Sequence, residues 1–119
     1  MTNVKLLLVD DEESFVSTLA ERLRLRNYDT RIATNGEAAL SEIQKERPDI
    51  VLLDLKMPGM GGLEILEKIK NGDPTIEVIM LTGQGDKQSC EEGLKAGASD
   101  FIVKPIDIGN LMDKLRNIR

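Results

Sequence analysis

Short apolar segments alternate with longer amphipathic segments along the whole chain, and this alternation restricts the fold more than any other feature of the sequence. Five segments predict strands, at 4–9, 28–33, 49–54, 77–83 and 100–105, and the segment at 28–33 has polar interruptions. The segments that follow them predict helices, at 13–26, 34–47, 63–70, 86–97 and 108–119. Strict strand–helix alternation predicts one parallel sheet with helices on both faces, joined by right-handed crossovers.

The helical prediction depends on the spacing of apolar and polar residues. Phe15, Leu19 and Leu23 recur every four residues, which is the period of one face of a helix. Thr34 and Glu37 have the spacing of a capping box, so the second helix is predicted to start there. The first helix should therefore pack on the sheet through one apolar face.

Length and composition restrict the class of protein. A chain of 119 residues can bury one core, so we expect 1–119 to be a single domain, whether or not it belongs to a longer protein. The single cysteine, Cys90, excludes an internal disulfide, and no uncharged run is long enough to cross a bilayer. We therefore expect a cytoplasmic protein without membrane association. The net charge of −5 argues against direct nucleic-acid binding.

Polar residues stand at the carboxyl ends of four predicted strands. They are Asp10 with Asp11, Asp54, Thr82 and Lys104. Each aspartate alone would be explained by a turn or a helix cap. Ligands of parallel sheets bind beyond the carboxyl ends of the strands, so these residues together indicate a functional site.

The residue types indicate the chemistry of that site. Crowded carboxylates repel one another unless a cation compensates their charge, and Mg²⁺ prefers a few carboxylates, water and phosphate oxygens. The chain has no histidine, which disfavours zinc and copper. A metal site beside an ammonium group and a hydroxyl group predicts a site for a phosphoryl group.

Four motifs resemble the receiver domain of bacterial two-component response regulators: VDDEE (9–13), LLDLKMPGMGG (52–62), LTG (81–83) and DFIVKP (100–105). The resemblance covers essentially the whole chain. It implies a flavodoxin-like (βα)5 fold, a doubly wound five-stranded parallel sheet with strand order 2-1-3-4-5.

The resemblance also implies roles for individual residues. Asp54 would be the phosphoacceptor, a carboxylate nucleophile that forms an acyl phosphate. Asp10, Asp11, Asp54 and the backbone carbonyl of Lys56 would hold Mg²⁺, the expected cofactor. Lys104 would pair with the phosphoryl group.

A second set of residues would turn phosphorylation into a conformational signal. In the family that this chain resembles, Thr82 would be a switch hydroxyl, Phe101 a switch aromatic, and Pro105 would follow a cis peptide bond. The surface of the fourth helix, fifth strand and fifth helix would change shape. Lys56 and Gln84 occupy positions that tune the lifetime of the acyl phosphate.

The resemblance implies partners as well as chemistry. The phosphoryl group would come from a sensor histidine kinase, a phosphotransfer protein or a small phosphodonor. The output would be a further domain, a downstream protein, or a homodimer formed through the surface that changes. The chain would thus be a signalling domain rather than an enzyme.

Two alternatives remain open from the sequence. An aspartyl-phosphate hydrolase of the haloacid dehalogenase type also uses an aspartate at a strand end, but it expects an acid where Lys56 stands, and a cap domain. A receiver-like scaffold that is never phosphorylated is the other alternative.

Overall fold

The computed structural model describes residues 4–57 and 59–118, and its elements follow the predicted alternation. The strands are β1 Lys5–Val9, β2 Asp29–Ala33, β3 Ile50–Asp54, β4 Glu77–Thr82 and β5 Asp100–Val103. The helices are α1 Glu13–Leu25, α2 Gly36–Lys45, α3 Gly62–Gly72, α4 Lys87–Lys95 and α5 Ile108–Ile118. Pro58 in the predicted loop and Arg119 at the predicted end of the last helix lie outside the described residues.

All strand pairs in the sheet are parallel, and the strand order is β2-β1-β3-β4-β5. The flavodoxin-like fold and strand order implied by the resemblance are therefore confirmed. The chain first adds β2 on one side of β1 and then returns to add β3 on the other side. The carboxyl ends of β1 and β3 thus lie at the point where the strand order reverses, where open parallel sheets bind ligands.

Two apolar layers cover the two faces of the sheet, because successive strand residues point to opposite faces. Leu7 and Val9 of β1 belong to the layer shared with α2 and α3. Leu6 and Leu8 belong to the layer shared with α1 and α5. All five residues of β3 are buried, as expected of a central strand covered on both faces. Within the described part of the chain, no helix is long and apolar enough to span a membrane.

The start of α2 differs from the prediction. Asn35, not Thr34, is the N-cap, and its side-chain oxygen accepts a 2.8 Å hydrogen bond from the amide of Ala38. The predicted capping box of Thr34 and Glu37 is therefore wrong. Asparagine caps helices at least as well as threonine, so the neighbouring residue takes the role and the helix begins at Gly36.

Candidate functional site

The carboxyl edge of the sheet brings together the polar residues that the sequence singled out. Asp10 directly follows β1, Asp54 and Thr82 end β3 and β4, and Lys104 directly follows β5. The strand register keeps them at similar height, because Asp54 pairs with Leu81 and the backbone amide of Lys104 donates to the Thr82 carbonyl at 2.7 Å. The fold therefore builds the site from four neighbouring strands.

Three aspartates form an acidic cluster at this edge. Asp10, Asp11 and Asp54 can each offer a carboxylate oxygen such that the three oxygens lie within 4.8 Å of one another. Asp10 is fully buried and Asp54 is 6% exposed, whereas Asp11 faces solvent. The Oδ1 atom of Asp10 is held by the backbone amide of Glu12 at 3.0 Å. The cluster thus has a rigid inner part and one carboxylate that can reach an ion from the solvent side.

The ammonium group of Lys104 lies against this cluster. Its Nζ is 2.7 Å from Asp10 Oδ2, 3.4 Å from Glu12 Oε1 and 3.9 Å from Asp54 Oδ1. It also lies 4.7 Å from the centre of the Phe15 ring, a cation–π distance. Burial alone would lower the pKa of Lys104, but the hydrogen bond to Asp10 and the surrounding carboxylates outweigh burial and raise it. The lysine is therefore a fixed positive charge beside Asp54.

The pKa of Asp54 is raised to about 6, mainly because the carboxyl group is buried. The backbone amide of Lys56, 3.2 Å from Asp54 Oδ1, opposes this shift. The negative charges of Asp10 and Asp11 add to the shift, and the charge of Lys104 opposes it. A carboxylate in these surroundings is stabilised by a cation, so the donor set fits a hard metal ion.

Thr82 differs from the other site residues, because its hydroxyl is not used. Thr82 is 2% exposed. Among the buried side-chain oxygen and nitrogen atoms of residues 4–57 and 59–118, its Oγ1 is the one without a hydrogen-bond partner. Thr82 and the half-buried Phe101 line a cavity of about 390 Å³ beside α4. The hydroxyl therefore has both an unmet hydrogen bond and space in which to move.

The structure also describes the peptide bond before Pro105 and the side chains of Lys56 and Gln84. The Lys104–Pro105 peptide bond is cis, as the resemblance implies. The Lys56 side chain is 72% exposed, and its ammonium lies 2.9 Å from Asp86 rather than on Asp54. Gln84 is exposed in the loop between β4 and α4.

Sequence reasoning missed three residues around the site: Glu12, Phe15 and Asp86. Glu12 belongs to the run of four acids at 10–13, and that run was the available signal for a partner of Lys104. Phe15 fits the apolar period of α1, which gave no sign of its second contact with Lys104. Asp86 stands at the start of a helix, where an aspartate normally indicates a cap.

Comparison with protein families gives one extended match. A family model described as the response regulator receiver domain matches residues 6–116. This span includes every residue of the site described above.

Individual relatives agree with the family match. Sporulation initiation phosphotransferase F of Bacillus subtilis is 41% identical over 116 residues, which cover 98% of this chain and 94% of that protein. Response regulator PleD of Caulobacter vibrioides is 39% identical over 119 residues, but the chain spans 26% of its length. The crystal structure of a putative response regulator from Chloroflexus aurantiacus superposes with a TM-score of 0.91 at 34% identity, covering 98% of both chains.

Proposed function

Because the chain belongs to the response regulator receiver domain family, whose members signal through phosphorylation, we propose that Asp54 is its phosphoacceptor. One observation carries this proposal. A buried carboxylate lies close to two further aspartates and a lysine ammonium, at the reversal point of the sheet. In this place a carboxylate can meet a cation, a phosphoryl group and solvent together.

Receiver domains generally use Mg²⁺ at an acidic pocket, and the residues here fit that ion. Asp10, Asp11, Asp54 and the backbone carbonyl of Lys56 would hold it, since three of them already bring carboxylate oxygens within 4.8 Å of one another. When bound, Mg²⁺ would supply positive charge to the phosphoryl oxygens. Burial raises the pKa of Asp54 and the charges of Asp10 and Asp11 add to this shift, so an added cation would favour the ionised carboxylate.

The reaction at Asp54 transfers a phosphoryl group from an oxygen or nitrogen atom of the donor to a carboxylate oxygen of Asp54. A carboxylate oxygen of Asp54 attacks the phosphorus of the donor, the new P–O bond forms, and the bond to the leaving group breaks. The electron pair of the broken bond leaves with the donor group, as acetate when acetyl phosphate is the donor; a leaving group that is more basic than acetate takes a proton from solvent. Lys104 leaves Asp10 in part and pairs with the phosphoryl oxygens, which places its charge on the group being transferred.

The switch follows from the new charge at Asp54. The phosphoryl group adds a charge of roughly −1.5 to −2. The unpartnered hydroxyl of Thr82 can then donate to a phosphoryl oxygen, and Phe101 can enter the cavity beside α4. Moving a switch from mostly one state to mostly the other needs about 5.5 kcal/mol. Charge-assisted hydrogen bonds of about 1.5–3 kcal/mol each supply energy of this size.

Response regulators receive phosphate from histidine kinases and act on output domains. For this chain we propose a sensor histidine kinase or phosphotransfer protein as donor. We propose an output domain, a downstream protein or a homodimer as the reader of the α4–β5–α5 surface. Leu94 of α4 and Val103 of β5 are exposed apolar residues on that surface, which supports its use in contacts. On this proposal the chain is a cytoplasmic signalling domain and not an enzyme.

Phosphorylation by a small donor tests the proposal. Incubation with Mg²⁺ and acetyl phosphate should add one phosphoryl group to the wild type, as measured by intact-protein mass spectrometry. Asp54→Asn should remain unlabelled, whereas Asp113→Asn, the same change on the exposed side of α5, should label like the wild type. Labelling of Asp54→Asn at the wild-type rate would contradict the assignment. Steady phosphate release from unrelated esters would favour a hydrolase instead.

A further inference from the structure

A direct link joins the loop after Asp54 to the loop after Thr82. The Nζ atom of Lys56 lies 2.9 Å from Asp86 Oδ1. The other carboxylate oxygen of Asp86, Oδ2, accepts a 3.1 Å hydrogen bond from the backbone amide of Gly83. We call these two contacts the Lys56–Asp86–Gly83 link. One end lies two residues beyond the proposed nucleophile, and the other lies directly after the switch hydroxyl.

Asp86 makes these contacts instead of capping a helix. It occupies the N-cap position of α4, but its side chain accepts no hydrogen bond from the first turn of that helix. The side chain of Asp86 is 13% exposed, whereas that of Lys56 is 72% exposed. The hydrogen bond from Lys56 is the largest cause of a lowered pKa of Asp86, and the Gly83 amide acts in the same direction. Asp86 is therefore ionised at neutral pH, and both contacts are charge-assisted.

The link opposes the rearrangement that phosphorylation requires. In the proposed switch the loop after Thr82 rearranges once Asp54 carries a phosphoryl group, and Asp86 holds the Gly83 amide of that loop. A phosphoryl group on Asp54 would also place negative charge two residues from Lys56 and compete with Asp86 for the same ammonium group. Both contacts thus belong to the state before phosphorylation.

We propose that Asp86 is a positioning residue that holds the loop after β4 in its unphosphorylated arrangement, and that Lys56 releases this hold when its ammonium group moves from Asp86 to the phosphoryl oxygens. This inference rests on the proposed function of Asp54. It assigns Lys56 a role beyond its backbone carbonyl, and it assigns a role to Asp86, which the motifs of the sequence did not single out.

Binding of a phosphoryl mimic measures how strongly Asp86 holds the loop after β4. Beryllofluoride binds carboxylates as a non-covalent phosphoryl mimic, so its affinity for the protein in the presence of Mg²⁺ includes the cost of breaking the link. Asp86→Asn should bind beryllofluoride about three- to tenfold more tightly than the wild type, because a hydrogen-bonded exposed ion pair no longer has to be broken. Glu91→Gln, which removes one acid from the exposed surface of α4, should bind like the wild type.

A double-mutant cycle separates the link from a general effect of charge. If Asp86 acts through Lys56, the gain from Asp86→Asn should fall to about twofold or less in a Lys56→Gln background. An equal gain in both backgrounds would contradict a role of Lys56 in the hold. Wild-type or weaker affinity of Asp86→Asn would contradict the hold itself.

The Gly83 amide gives a readout in the unliganded variants, with beryllofluoride-saturated wild type as the reference. In the nuclear magnetic resonance spectrum of the unliganded protein, Asp86→Asn and Lys56→Gln should each move the Gly83 amide resonance towards its position in beryllofluoride-saturated wild type. An unmoved resonance in both variants would overturn the link. Failure of the wild type to bind beryllofluoride with Mg²⁺ would contradict the proposed function of Asp54. Normal binding by the wild type with no gain in Asp86→Asn would contradict the hold alone, so the two failures are distinguishable.

Discussion

The two strand–helix units at the centre of the site hold their functional side chains in different ways. The β3–α3 unit carries Asp54 on a fully buried strand, and α3 buries four residues: Gly62, Ile65, Leu66 and Ile69. The β4–α4 unit carries Thr82, and α4, whose residues are all described, buries Cys90 and Gly93. Elements with few buried contacts open at lower free energy. The proposed nucleophile therefore stands on a firm support, and the proposed switch hydroxyl stands beside a helix that can move.

A glycine in each helix shows the same difference at closer range. A Cβ added to Gly62 would overlap the backbone of Leu55, which cannot move without disturbing β3 and its loop. A Cβ added to Gly93 would overlap the side chain of Met80, which is flexible and can choose another rotamer. The α3 contact is thus backbone to backbone, whereas the α4 contact has an adjustable partner.

Alanine at these two glycines gives the largest expected effect. Gly62→Ala should lower the free energy of unfolding by about 3 kcal/mol or more, because the backbone must shift to relieve the overlap. Gly93→Ala should cost about 1 kcal/mol or less, since Met80 can move and alanine favours the helix over glycine by about 0.5–1 kcal/mol. Urea unfolding followed by circular dichroism measures both variants. A cost for Gly93→Ala equal to that of Gly62→Ala would show that α4 is held as firmly as α3.

The charge on Asp54 gives the next largest effect on the free energy of unfolding. The sign of this effect follows from the raised pKa of Asp54. The folded chain holds the Asp54 proton more tightly than the unfolded chain, because the pKa rises from 3.8 to about 6. Stability is therefore lost as the pH rises through this range. In metal-free buffer at pH 7, Asp54→Asn should be more stable than the wild type by about 1–3 kcal/mol. Below about pH 4 the difference should vanish, because both side chains are then neutral.

Asp73 provides a control of opposite sign for this experiment. Hydrogen bonds from Thr75 and then Arg47 lower its pKa to about 2. Asp73→Asn should therefore destabilise the protein at neutral pH, and the effect should fade as the pH drops from 3.8 towards about 2. A gain for Asp54→Asn that is equal at pH 4 and pH 7 would show that ionisation is not its cause.

The unpartnered hydroxyl of Thr82 gives the smallest effect on stability. Thr82→Val keeps the shape of the side chain and removes a buried hydroxyl that has no partner, so thermal unfolding should show a gain of about 1 kcal/mol. Thr82→Ser keeps the hydroxyl and serves as the matched control. Thr82→Ser removes a buried methyl group and should itself cost about 1 kcal/mol. If Thr82→Val loses at least as much stability as Thr82→Ser, the hydroxyl already has a partner before phosphorylation.

The architecture could be predicted from the sequence because its signals are local. The central strands β1, β3 and β4 are apolar, because the sheet is covered on both faces, and the predicted strand bounds lie close to the observed ones. The order of the strands could not be predicted from these local signals, because strict alternation is compatible with several orders. It came from the resemblance of four motifs, and the structure has the same order.

The residues of the site could be predicted only in part. Asp10, Asp54, Thr82 and Lys104 stand at strand ends, so their convergence follows from any parallel sheet. The Lys56–Asp86–Gly83 link joins two exposed loops, where neither periodicity nor strand register places one side chain against another. An aspartate before a helix normally caps it, and only the structure shows that the Asp86 carboxylate contacts the neighbouring loop instead.

Hydrogen exchange can show whether the firmly held β3–α3 unit is phosphorylated while the loosely held β4–α4 unit responds. Amide exchange should be compared between the protein with Mg²⁺ alone and the protein with Mg²⁺ and acetyl phosphate, with Asp54→Asn as the control. We expect exchange to change strongly over residues 82–95, little over 62–72, and not at all in Asp54→Asn. An equal or larger change over 62–72, or the same change in Asp54→Asn, would contradict the account.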